Sequence, residues 1–175
     1  MSESQCSPKE RAEQFVAALR RLRNDRGKLA ALRRGLSPAT VMDAWPVVAA
    51  SGGDIGQRVF VVTGALFASH PEESNARNFG ETCRRIGQAD GKEVPESFER
   101  RFRRLLSCTE AEDVLEQLRS WIRLAAGKGV GVNYESLLFD LLLWNKYTDD
   151  IRVKWAKSFW HTGETTEPQP IAVTP

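Results

Sequence analysis

The chain has 175 residues, 41% of them hydrophobic and 27% charged, with a formal net charge of +2. That length suits one substantial domain or two small packed lobes, and the composition excludes a disordered or fibrous chain. No apolar run approaches the roughly 20 residues of a membrane span, and the opening "MSESQCSPKERAEQF" lacks a signal-peptide core, so a cytoplasmic protein without membrane contact is expected.

The dominant signal along the chain is helical periodicity. Ser7-Pro8 reads as an N-cap and first helical residue, after which Ala12, Phe15, Val16, Leu19 and Leu22 trace one stripe. "NDRG" interrupts it, and a second helix, with Leu29 and Leu32 on its apolar face, ends at Gly35. Ser37-Pro38 predicts the start of a third, with Val41, Trp45 and Val48 inward, broken by "SGGD". Residues 55–69 read as a buried helix despite their Val/Phe content, because the run is long and has no strand partner. Residues 70–97 are the least regular, with loops flanking a short helix that carries Cys83, Arg84 and Arg85. Phe98, Phe102, Leu105 and Leu106 mark the next helix. "TEAEDVLEQLRSWIRLAAG" follows, with Thr109 as its cap and acids in its first turn. "VNYESLLFDLLLWN" and "TDDIRVKWAKSFW" complete the set as two further helices. The expected architecture is all-α, with about eight or nine helices in two small lobes, about 8–95 and 96–161, within one domain. The Pro/Thr-rich segment 164–175 is expected to be a disordered tail.

Catalysis and metal binding find no support in this pattern. Cys6, Cys83 and Cys108 are widely separated, which predicts reduced, partly buried thiols rather than a disulfide framework or CxxC metal site. His70 and His161 each lack a nearby Cys or second His, so no zinc site is expected. "GKGVG" (127–131) is not a phosphate loop, because Lys128 is followed by Gly129 rather than Ser or Thr and a helix precedes it. The acidic pairs Glu72-Glu73 and Asp149-Asp150 specify no general acid, base or nucleophile. A protein that is not an enzyme, with no cofactor and no small-molecule substrate, is expected.

Charge is distributed unevenly. Residues 1–36 carry nine Lys/Arg against four Asp/Glu, residues 76–104 eight against five, and residues 105–118 four acids and no base. Of the 25 cations, 18 are Arg, whose planar fork grips phosphate in bidentate fashion. In "FERRFRRLL" (98–106), helical spacing puts Phe98, Phe102 and Leu105 on one face, with Arg100, Arg101, Arg103 and Arg104 fanned across the other. Like charges at such spacing repel by a few tenths of a kcal/mol each, and a polyanionic partner would offset that. Arg33 lies at the margin of its helix's apolar stripe, where its stem packs, whereas Arg34 points outward. Arg84, Arg85, Arg119, Arg123, Lys146, Arg152 and Lys154 are weaker candidates. For any single arginine a solvated surface is a sufficient account. No base-stacking motif is evident, so contact should be to phosphates and insensitive to sequence.

A helical opening, "DRGKLAALRRGL", the Arg-rich "ERRFRRLL" and the ending "VNYESLLFDLLLWN…IRVKWAKSFW" together resemble the CasB family over roughly residues 8–161. That family is the small subunit of the type I-E CRISPR surveillance complex, Cascade. The resemblance implies an all-α, non-nucleolytic subunit, present with a second copy of itself among the other Cascade proteins. It implies contact with guide RNA and with target and non-target DNA, notably the displaced strand. Carried onto this sequence, the phosphate-contacting residues are Arg33, Arg34, Arg100 and Arg101, with Arg58, Arg119 and Lys146 as looser matches. Arg104 joins them from the helical fan. A competing expectation is an architectural adaptor whose basic faces dock acidic protein surfaces.

Overall fold

The computed structural model describes residues 6–160, and the expected tail and His161 lie outside them. Eight α-helices and two 3-10 turns account for its regular structure. In chain order the helices are α1 (Pro8–Arg21), α2 (Arg26–Arg33), α3 (Trp45–Ala50), α4 (Arg58–Ser69), α5 (Phe79–Gly87), α6 (Glu96–Leu106), α7 (Ala111–Lys128) and α8 (Tyr134–Trp160). Among the described residues there is no strand, only an isolated parallel bridge between Glu73 and Val132. The all-α expectation holds.

α1 begins as its sequence dictates. The Glu10 amide donates to Ser7 Oγ at 3.2 Å and the Ser7 amide donates to Glu10 Oε2 at 2.8 Å, a reciprocal cap that satisfies two orphan donors. Its predicted stripe is buried, with Ala12, Phe15, Val16 and Leu19 at 1% exposure or less. α4 is the buried helix expected between residues 55 and 69: every residue from Phe60 to Ala68 is buried. It needs no amphipathic pattern because α1, α2, α7 and α8 surround it.

Two local expectations are corrected. Ser37-Pro38 does not start an α-helix; the chain makes 3-10 turns at Arg34–Leu36 and Val41–Asp43, and α3 begins only at Trp45 with Pro46 in its first turn. Ser37 is extended (φ −114°, ψ 128°), as a residue before proline prefers, and Gly35 packs close to α4, where a Cβ would lie 3.0 Å from Val61 Cγ1. Thr109 is not the cap of α7; Glu110 is, and its own side chain makes no cap bond, the Ala111 amide donating instead to Asn145 Oδ1 of α8 at 2.8 Å. The final two helices run end to end as α8, and non-helical backbone at Tyr147 (φ −128°, ψ 38°) marks the expected break between them. Thr148 opens the second segment and donates its hydroxyl back across the kink to the Trp144 carbonyl at 2.6 Å.

α8 organises the interior by packing on α1, α4, α5 and α7. Its contact with α5 is the tightest: a Cβ at Gly80 would sit 2.1 Å from the Trp155 carbonyl oxygen, so only glycine permits it. Asn78 Nδ2 donates to Ser158 Oγ at 2.8 Å at the same crossing. The glycine run 127–131 is a helix terminator. Gly129 adopts φ +67° and the Val130 amide donates to the Ala125 carbonyl at 2.9 Å, which closes α7 in left-handed fashion. All three cysteines are unbridged, with Cys83 and Cys108 buried and their thiols pushed up by that burial.

Candidate nucleic-acid interface

The close approach of Gly35 to α4 turns the two arginines before it toward α7. Arg33 lays its stem along α4 and donates Nε to the Ala68 carbonyl at 2.9 Å. Arg34 Nη1 meets Asp43 at 2.9 Å, and its carbonyl accepts from the Thr40 hydroxyl, also at 2.9 Å. Across from them, α7 buries Leu118, Ile122 and Ala125 and leaves Arg119 and Arg123 exposed. The result is an open cleft of about 470 Å³, walled by Arg33, Arg34, Arg119 and Arg123. Its apolar lining comes from Leu36, Leu66, Ile122 and Ala126, and its hydroxyls from Ser37, Thr40 and Ser69.

Carboxylates are scarce there. Among the described residues, Arg34 pairs with Asp43, while Arg33, Arg119 and Arg123 have no acid within 4.0 Å. Four arginines line one concavity and one of them has a carboxylate partner, so the local field is positive and low-dielectric walls focus it.

The arginines of α6 form a separate surface. The helix is held by Phe102, which stacks on Phe159 at 4.0 Å and 10°, and by Gln117 Nε2, which donates to the Arg104 carbonyl at 3.3 Å. Arg101 lies 6.0 Å from the Trp121 ring. Gln117 and Trp121 stand about 120–160° around α7 from Arg119 and Arg123, at 100° per residue, so the two basic surfaces flank opposite sides of that helix. Glu96 and Glu99 reach Arg100 and Arg103 at 3.7 Å each, whereas Arg101 and Arg104 have no acidic partner among the described residues.

Other cations are tied into the fold. Arg58 donates to Glu112 at 2.6 Å and to Glu116 at 3.3 Å, which clamps the start of α4 onto α7. Lys146 sits 5.1 Å over the Tyr147 ring beside the kink. Arg152 caps the end of α6 by donating to the Cys108 carbonyl at 2.6 Å. Arg77 and Arg85 converge on Glu81 at 3.1 and 2.7 Å, with Arg84 at 3.9 Å. Burial pushes the Glu81 carboxyl up, but the Arg77 amide and the Arg77 and Arg85 side chains outweigh it and hold it below the usual carboxylate range. Asp140 shows the opposite balance. It accepts from Trp155 Nε1 at 2.7 Å and pairs with Lys154, yet burial wins and its carboxyl is raised.

The cleft therefore unites Arg33, Arg34 and Arg119 with Arg123, one of the weaker candidates. Its apolar lining and hydroxyls were not anticipated. The Arg119/Arg123 pair at i, i+4, beside the buried Leu118–Ile122 stripe, was the available signal for a basic edge on α7.

The model of the CRISPR-associated protein Cse2 family matches residues 28–160. Among solved structures, the chain is similar to a Cse2-family protein from Thermus thermophilus, with 24% identity and a TM-score of 0.70, covering 86% of this chain and 98% of that one. M. ruber CasB matches at 27% identity and TM-score 0.69, covering 86% and 92%. A chain of a structure described as a CRISPR RNA-guided surveillance complex matches at 22% and 0.70, covering 87% and 92%. No curated protein sequence matches.

Proposed function

Because the chain belongs to the CRISPR-associated Cse2 family, we propose that it is a non-catalytic subunit of a type I-E RNA-guided surveillance complex that binds nucleic-acid backbone. Its task in this reading is to stabilise the R-loop by holding the displaced non-target strand, in the cytoplasm, alongside the other Cascade proteins, guide RNA and a second copy of itself. The observation that carries this is the cleft between the α2–α4 side and α7, where four arginines share one carboxylate.

The physical role is modest and sufficient. R-loop formation nearly balances duplex lost against heteroduplex gained, so a few phosphate contacts to a separated strand tip it. Single-stranded DNA binding by the purified chain tests this: log affinity should fall linearly with log salt, by about 0.7 per phosphate contacted. Arg33→Ala with Arg119→Ala should flatten that slope while the melting temperature holds. A slope unchanged by the pair would remove the cleft from the strand's path.

One observation favours a second use for α6. Its arginines lie on the far side of α7 from the cleft, and two of them already share acids on their own helix. Docking on an acidic protein surface fits that geometry. Replacing Arg100, Arg101 and Arg104 with Ala distinguishes the roles: loss of assembly with intact DNA binding assigns α6 to a protein partner, and the reverse assigns it to phosphate.

A further inference from the structure

The cleft is more apolar than a phosphate track requires. A backbone track is satisfied by guanidinium groups on an open surface, yet here Leu36, Leu66, Ile122 and Ala126 line the space between the arginines. Leu66 and Ile122 are otherwise packed, at 1% and 2% exposure, so the apolar lining belongs to the rigid core and not to mobile side chains. The volume of about 470 Å³ falls in the range of small-ligand sites, roughly 300–1,000 Å³. An apolar lining within a cationic rim matches one chemistry in particular: a flat heteroaromatic ring joined to a phosphodiester.

We propose that this cleft takes one unstacked nucleotide of a single strand, its base against Leu36 and Ala126 and its flanking phosphates on the arginines. The proposal rests on the reading of the cleft as a strand-binding surface and adds that a base enters it. Extruded bases are held in this way between apolar and cationic side chains, and guanidinium planes stack on base faces where no aromatic ring is present. Thr40 and Ser69 donate their hydroxyl protons to the Arg34 and Ala65 carbonyls and keep lone pairs to accept, while the Ser37 hydroxyl can do either, which places polar contacts at a base edge without committing to one base. The site would therefore be tolerant of sequence while still counting bases.

The test compares two oligomers of equal length and charge, dT20 and a 20-mer abasic at every position, bound to the full chain at matched salt. The abasic strand should bind about five-fold or more weakly, with the same salt slope, because base contacts are lost and phosphate contacts are kept. Ser69→Leu combined with Ala126→Leu narrows the cleft from its exposed rim. It should erase the difference between the two strands and leave the abasic affinity unchanged, with folding checked by circular dichroism melting. Equal affinities for the two strands, both abolished by Arg33→Glu with Arg119→Glu, would overturn base capture and leave the strand-binding reading standing. Binding of neither strand would overturn both. Displacement of dT20 by thymidine monophosphate at matched nucleotide concentration would assign the site to a free nucleotide and overturn the strand-held form.

Discussion

Two arginine clusters of similar size do opposite things in this molecule. Around Glu81, the guanidinium groups of Arg77 and Arg85 reach one buried carboxylate at 3.1 and 2.7 Å, with Arg84 at 3.9 Å, and the cluster stitches α5 together. At the cleft, Arg33, Arg34, Arg119 and Arg123 share only Asp43, which touches one of them. The residue type is the same, and the local carboxylate count decides. A cation whose charge is answered inside the fold contributes to stability, and one left unanswered in a concavity stays available to an external anion, the role proposed for the cleft. The same division separates Arg20 and Arg23 from the cleft. Arg20 grips Glu73 at 2.8 Å and Glu135 at 2.7 Å and is held protonated by them, and Arg23 joins at 2.6 Å from Glu73.

The sharpest way to break this comparison is Glu81→Ala. Leaving three arginines around an empty, largely buried position should cost about 3 kcal/mol in urea unfolding, with DNA affinity unchanged. A variant that lost DNA binding without losing stability would invert the assignment. Acid unfolding adds a signed check on the same residue. The Glu81 carboxyl is held low when folded, so its contribution is complete above the ordinary glutamate range near 4.5 and is lost as pH falls through the folded value. Glu81→Gln should therefore flatten the acid limb of the stability profile.

Next in size is charge reversal at the cleft. Arg33→Glu with Arg119→Glu should weaken single-stranded DNA binding about ten-fold or more at low salt and lower the salt slope, while thermal melting shifts by no more than a surface substitution does. Asp43→Asn, which removes the one acid of the cleft, should tighten binding by about two-fold, measured by fluorescence anisotropy. The smallest effect is expected at Arg58. Its pairs with Glu112 and Glu116 are exposed, so Arg58→Ala should change stability by less than about 1 kcal/mol and leave DNA affinity within about two-fold. A loss comparable to that of the cleft variant would return Arg58 to the strand's path.

Much of the helical framework was legible because burial writes a period into the chain. The stripe of α1, the uniformly apolar α4 and the Phe98/Phe102/Leu105 face of α6 each follow from which side must meet the core. The failures share a different cause. The chain after Ser37 goes with how near Gly35 comes to Val61, and the start of α7 depends on the Asn145 side chain of α8, which accepts from the Ala111 amide. Neither contact leaves a local trace. At the site, Arg33 and Arg34 stood out as cations at the end of a helix, and Arg119 and Arg123 as an exposed pair on another, without any sign that they face each other.

From the order of its residues alone, this protein was bound to be all-helical, rich in arginine on its outward faces and without a legible catalytic motif, since periodicity and composition are properties of the chain itself. Which arginines meet a carboxylate and which line a cleft was decided only when helices from distant parts of the chain packed together. Charge compensation acts over a few ångströms in space, and sequence distance does not measure those.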